Sequence, residues 1–418
     1  MTSLYQQAAS LLLYQSVFDD QIGAAFLSLL ESLAAASPQP IRCLQAYGHW
    51  FRSLAIRHRS WSDYLVTRIL LDDNPFSQQV QTVAVDDLPA SLVTAAKRDL
   101  QILQSLSRCP QQLSQQVQEI SELPTAPVAW ELGSSLNLLG HQPWPEAVAE
   151  LAQHYRHHGT GIFAQYAALR WQRRKLVGIA HPDSVQLANI IGYDSQKELL
   201  LRNTEFLLAG YPALHVLLYG SRGSGKSSLV KGLLPQYQSC GLRLIEVSKS
   251  ELQDLPEIVE QLRVPQKFII FVDDLSFEED DEAFKALKVV LEGSLTAKAA
   301  NVVVYATSNR RHLVREFFAD RPRPRDSDEV HRWDTMQEKL SFSDRFGLTL
   351  TFESANQDTY LEIVRHLAQQ AQLPFSPEEL EFRAKQWATR HNGRSGRTAR
   401  QFIDFLQAEV AHQPPLPS

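Results

Sequence analysis

The stretch LHVLLYGSRGSGKSSLVKGLL, residues 214–234, decides the fold. It begins as an apolar run, passes through Gly220-Ser221-Arg222-Gly223-Ser224-Gly225-Lys226-Ser227, and continues from Ser228 in a helical pattern. The middle satisfies G-x-x-x-x-G-K-[ST] in the setting its chemistry needs, after a strand and before a helix. Glycines let backbone N–H groups turn inward on phosphate oxygens, and the helix N-terminus adds partial positive charge. Lys226 reaches the terminal phosphates and the Ser227 hydroxyl suits a Mg²⁺ ion, so the loop reads as a nucleoside triphosphate site.

Outward from this loop, apolar runs at 214–220, 242–248, 267–273, 301–307 and 347–353 alternate with helical patterns at 226–234, 252–262, 282–297 and 311–318. Apolar strands divided by crossover helices imply an α/β fold with a five-stranded parallel sheet. The run FIIFVDDLSFEEDD, residues 268–281, ends a strand in Asp273, placed to hold Mg²⁺ opposite Ser227. Hydrolysis also needs a group that orients or deprotonates water, and Asp274 is the first candidate, with Glu278 the second. Glu279 to Glu282 read as the solvated acidic first turn of the next helix.

The first ~180 residues have apolar residues recurring every three or four positions, interrupted at SPQP (37–40), DDNPF (72–76), LPTAP (123–127) and HQPWP (141–145). An all-helical domain over 1–180 is expected, with RWQRRKLVGIAHPDS, residues 170–184, as a helix end and linker. A nucleotide-binding core over 186–355 follows, then helices at 356–371, 376–390 and 396–411 and a tail at 413–418. At 418 residues the chain is long enough for two or three domains.

A net charge of −6 gives no global reason to expect nucleic acid as partner. Two local basic clusters keep it open, namely Arg170, Arg173, Arg174 and Lys175 beside Trp171, and Arg321 with Arg323 and Arg325. Both also read as solvated surface. Cys43, Cys109 and Cys240 show no paired spacing, and His154, His157 and His158 lack carboxylate companions, so neither a disulfide framework nor a metal cluster is read. No apolar stretch reaches a membrane span and the first residues lack a basic leader, so a cytoplasmic protein without a membrane partner is expected.

Beyond the phosphate loop and its aspartate, the chain resembles the AAA+ ATPases. ATSNRRHL, starting at Ala306, resembles sensor 1, which makes Asn309 the residue that would hold the attacking water. SFSDRFGL resembles box VII, and implies that Arg345 reaches a neighbouring subunit's ATP. NGRSGRTARQF resembles sensor 2 with Arg397 over the nucleotide, Arg394 and Arg400 being rivals within one turn. LANIIGYDSQKELLLRN resembles the entry segment beside adenine, with Ile191, Gly192 and Tyr193 as lining. Taken with WSDYLVTRILLDDNPFS near residue 70, these motifs more closely resemble the predicted bacterial AAA+ ATPases catalogued as a domain of unknown function, number eight-one-five.

That resemblance implies binding and hydrolysis of ATP with Mg²⁺, a C-terminal helical lid, and homo-oligomers, hexameric rings among them. The resemblance names no substrate; a motor reading of the chain adds a protein or nucleoprotein client engaged through the N-terminal helices. Two alternatives stay open: a DNA-linked loader or remodeller, and a nucleotide-dependent assembly switch with little turnover. Asp274 stands where these enzymes usually carry glutamate, which bears on the rate.

Overall fold

The computed structural model describes residues 2–128, 143–277, 282–292, 299–309, 345–391 and 393–412. Two compact units divide at Gln165 and Tyr166. The first is helical: α1 (Thr2–Ala9), α2 (Gln21–Ala34), α3 (Pro40–Arg57), α4 (Trp61–Leu71), α5 (Pro75–Gln79), α6 (Ala90–Ser107), α7 (Pro110–Ser121), α8 (Val148–His158) and α9 (Gly161–Gln165). Local signals set its helix starts. Asp20 caps α2 by accepting from the backbone N–H of Ile22 and Gly23, and Asn74 with Ser77 forms a capping box on α5. Its centre is aromatic, with the Phe26 and Trp61 rings 4.1 Å apart and Trp50 edge-on to Trp61 at 5.3 Å.

The second unit is built on one sheet of β1 (Ala168–Gln172), β2 (Lys175–Gly178), β3 (Val216–Gly220), β4 (Leu242–Glu246), β5 (Lys267–Val272), β6 (Val302–Ser308) and β7 (Leu348–Phe352). The order is β2-β1-β4-β5-β6-β3-β7, parallel throughout except for the β1–β2 pair. The five expected strands are present, but the sheet has seven, because residues 168–178 form a hairpin instead of a helix end and linker. In β1, Leu169 and Trp171 are buried while Arg170 and Gln172 are exposed, the two-residue period of a strand. The chain reverses at Arg173 and Arg174, both left-handed with φ of 52° and 60°, the twist that a tight hairpin requires.

Within the sheet, β4, β5 and β6 are buried along almost their whole length, which is why they read as unbroken apolar runs. Two helices matter for the site: α10 (Asp194–Leu208), which leads toward β3, and α11 (Lys226–Tyr237), which follows it. Beyond β7 come three helices packed on one another through Tyr360, Val364, Leu367, Ala384, Phe402 and Leu406. Asn356 caps the first of these, Gln357–Gln370, and Ser376 caps the second, Pro377–Arg390; the third runs Gly396–His412. Among the described residues, no helix is long and apolar enough to cross a membrane.

Candidate active site

Because β6 lies between β3 and β5, the C-terminal ends of three strands converge on one spot, which is where ligands gather in parallel α/β sheets. The phosphate loop leaves β3 at Gly220, which pairs with Phe352 of β7. A Cβ on Gly220 would stand 1.9 Å from the Phe352 carbonyl oxygen, and its φ of 136° excludes other residues independently. The loop closes at Gly225, whose φ of 90° lets α11 begin with Lys226. Ser221 is pinned by its N–H to the Phe352 carbonyl, at 2.9 Å. Arg222 is exposed, and Ser228 is half-buried in the first turn of α11.

Lys226 is buried at 6% exposure, a large cost for an ammonium group unless it is hydrogen-bonded. Its Nζ donates to the carbonyls of Gly220 at 2.9 Å and Ser221 at 2.7 Å, and lies 3.4 Å from both Ser224 Oγ and Asn309 Oδ1. Burial lowers its pKa from the ordinary lysine value; Asp273 and Asp274 oppose that shift, and the Arg397 charge adds to it.

Opposite the lysine, Ser227 Oγ donates to Asp273 Oδ1 at 2.6 Å, so the two expected metal-holding groups already share a small volume. Both are hard oxygen donors, as Mg²⁺ requires, and the residues present fit that ion. Thr307 Oγ1 donates to the same Asp273 oxygen at 2.5 Å and accepts from the Asp274 N–H at 3.0 Å. Asp274 is left-handed, with φ of 51°, and its Oδ1 accepts from Asn309 Nδ2 at 2.7 Å. Asn309 thus spans Lys226 and Asp274.

The entry segment and the C-terminal helices border the same loop. Ile190 reaches within 3.8 Å of a Cβ placed on Gly225, and Ile191 packs on the C-terminal helical cluster. Gly192 faces the Thr359 methyl, while Tyr193 packs on Phe352 at 4.9 Å and donates its hydroxyl to the Glu353 carbonyl at 2.5 Å. The backbone N–H of Arg397 donates to the Gly223 carbonyl at 3.3 Å. Arg394 instead donates to Gln357 Oε1 at 2.9 Å, so of these two arginines Arg397 is the one brought to the phosphate loop.

Arg345 is not brought to this cluster. It precedes β7, whose first residue pairs with Val216 at the start of β3, while the loop leaves the opposite end beside Phe352. That strand alone spans about 13 Å at 3.3 Å per residue. Glu278, Glu279 to Asp281, Asp344 and the basic segment 321–325 lie outside the described residues, and α12 (Leu255–Gln261) is followed after β5 by a helix starting at Glu282. Thr307 joins the candidate site through Asp273 and Asp274, although the motif at that strand tip points to Asn309. Its only signal was a hydroxyl at the tip of the strand beside the Asp273 strand.

A search of curated proteins returned no match. Among solved structures, the Thermotoga maritima RuvB Holliday junction branch migration motor is 14% identical, with 53% of this chain and 72% of that chain covered and a TM-score of 0.33. The AMPPCP-bound DnaA from Aquifex aeolicus is also 14% identical, with 55% and 67% covered and a TM-score of 0.37. Residues 164–410, more than half of the chain, match the family described as Protein of unknown function (DUF815), and the chain belongs to that family.

Proposed function

We propose that this protein is an AAA+ ATPase that binds ATP with Mg²⁺ and hydrolyses it to drive conformational change in a partner. The observation that carries this reading is the convergence of Lys226, Ser227, Asp273, Asp274 and Asn309 at the ends of three adjacent strands. A phosphate loop alone would support binding. The added carboxylate and amide give the groups that hydrolysis needs.

In this reading the loop N–H groups and the Lys226 ammonium hold the β- and γ-phosphates. Ser227 and Asp273 hold Mg²⁺, which when bound offsets phosphate charge as the terminal group departs. Asn309 and Asp274 hold water in line with the γ-phosphorus. The water oxygen bonds to phosphorus, the bridge to the β-phosphate breaks, and the proton passes to the Asp274 carboxylate. Glu278 is the rival for that proton. Arg397 contacts the nucleotide from the C-terminal helices, and Ile191, Gly192 and Tyr193 line the base.

Arg345 stands at the far end of β7 from its own loop, which favours a role at a neighbour's nucleotide in a head-to-tail homo-oligomer, with a closed hexamer as the natural geometry. The N-terminal helices are the proposed client-binding domain, in the cytoplasm. A nucleic-acid role draws little support from the hairpin cluster, since Arg170 pairs with Glu246 at 2.6 Å and Arg174 with Glu257 and Asp254. Phosphate release from ATP and Mg²⁺ tests the reading. Wild-type protein, across a range of concentrations with and without DNA, is expected to exceed Lys226→Ala; equal release would refute hydrolysis.

A further inference from the structure

We infer that Thr307 is a positioning residue whose one hydroxyl sets both carboxylates of the site, the metal-holding Asp273 and the water-holding Asp274. The inference deepens the proposed ATPase reading and rests on it. The geometry is specific. An amide N–H can only donate, so the 3.0 Å contact from Asp274 N uses Thr307 Oγ1 as acceptor. The single hydroxyl proton is then left for Asp273 Oδ1, 2.5 Å away. An ionised carboxylate can only accept, so that oxygen receives the Thr307 proton and the Ser227 proton together.

The consequences follow the chain. Held by two hydroxyls at one oxygen, the Asp273 carboxylate cannot rotate without breaking both contacts. The tether on Asp274 N, with Leu275 N donating to the Thr307 carbonyl at 2.7 Å, holds Asp274 in its left-handed turn. That turn aims the Asp274 side chain at Asn309. Ser308 Oγ completes the lacing by donating to the Leu275 carbonyl at 2.8 Å. Thr307 and Ser308 are 2% and 1% exposed, so water cannot readily replace either hydroxyl.

Valine and serine separate the hydroxyl from the shape. Thr307→Val keeps the volume and removes the hydroxyl; Thr307→Ser keeps the hydroxyl and removes the methyl. The measurement is the affinity of the full chain for the fluorescent nucleotide mant-ATP, titrated with MgCl₂ and repeated in EDTA, with melting temperature recorded for each variant. Thr307→Val is expected to need about tenfold more Mg²⁺ for half-maximal binding, close to 1.4 kcal/mol, with affinity in EDTA unchanged. Thr307→Ser is expected to stay within about threefold of wild type by retaining the hydrogen bonds. Should the valine variant not fold, Thr307→Ala replaces it in the same comparison.

Wild-type Mg²⁺ dependence in the hydroxyl-free variant, or equal loss in the serine variant, overturns the role of Thr307 and leaves the nucleotide site standing. If wild type binds mant-ATP no better than Lys226→Ala, the nucleotide site itself fails and the Thr307 role falls with it.

Discussion

Asp274 offers the sharpest test, because its backbone and its carboxylate make separable demands. The residue is left-handed, with φ of 51°, and its Oδ1 accepts from Asn309 Nδ2 at 2.7 Å. Asparagine tolerates that backbone region and keeps an acceptor oxygen, so Asp274→Asn should cost well under about 1 kcal/mol of stability. Alanine forfeits both: the left-handed conformation costs about 1–2 kcal/mol and the lost hydrogen bond about 1 more. For a unit of this size each kcal/mol moves the melting temperature by about 2–4 °C, so Asp274→Ala should melt roughly 4–12 °C lower. If Asp274 takes the proton from water, both variants should lose phosphate release by about 10²- to 10⁴-fold. The amide should do so while melting and binding mant-ATP like wild type. Thermal denaturation, nucleotide binding and phosphate release on one preparation check all three quantities. Wild-type turnover in Asp274→Asn would refute the assignment, and a matched loss in Glu278→Gln would transfer it to Glu278.

Gly220→Ala places a methyl 1.9 Å from the Phe352 carbonyl at φ of 136°, so β7 must separate from β3. A loss of about 3 kcal/mol or more and no mant-ATP binding are expected, checked by denaturant unfolding and fluorescence titration. If Arg345 serves a neighbour's nucleotide, mixing Arg345→Ala with Lys226→Ala subunits should restore part of the phosphate release that each lacks alone, since a mixed assembly would then contain sites with one intact loop and one intact arginine. No recovery at any ratio would mean that each subunit works alone. In the N-terminal unit, burial and then the charges of His158 and His157 lower the His154 pKa from 6.5 to about 4. The fold favours the neutral ring, so its contribution is complete above pH 6.5 and is lost as pH falls through about 4. Between pH 7 and pH 4, wild type should lose about 1–2 kcal/mol more than His154→Gln, after allowance for partial exposure, in calorimetric scans.

Local signals made much of this protein legible. The phosphate loop is a continuous motif, and the backbone angles it needs are those of its own glycines, including φ of 90° at Gly225. Strands β4 to β6 are buried on both faces, so their composition announces them. The last three helices begin near their expected positions, and the first two carry the caps Asn356 and Ser376. The β1–β2 hairpin was not legible. Its alternation runs over only five residues, ALRWQ, and arginines outside Leu169 and Trp171 read equally well as a helix surface.

By itself, then, the sequence determined that a glycine-rich loop joins a strand to a helix, that an aspartate ends a buried strand, and which helices follow. Only the tertiary structure decided the seven-strand order, the hydroxyl of Thr307 between two aspartates, the left-handed turn at Asp274, and the approach of Arg397 to Gly223. The physical reason is range. Torsion preferences, caps and apolar periodicity act over a few residues, whereas Thr307 meets Asp273 across a 34-residue separation. Such a contact exists because Ile270 pairs with Val304 and Val272 with Ala306, so that the ends of β5 and β6 stand side by side. A shift of one residue in that register would turn Thr307 to the other face of the sheet and leave Asp273 with Ser227 alone.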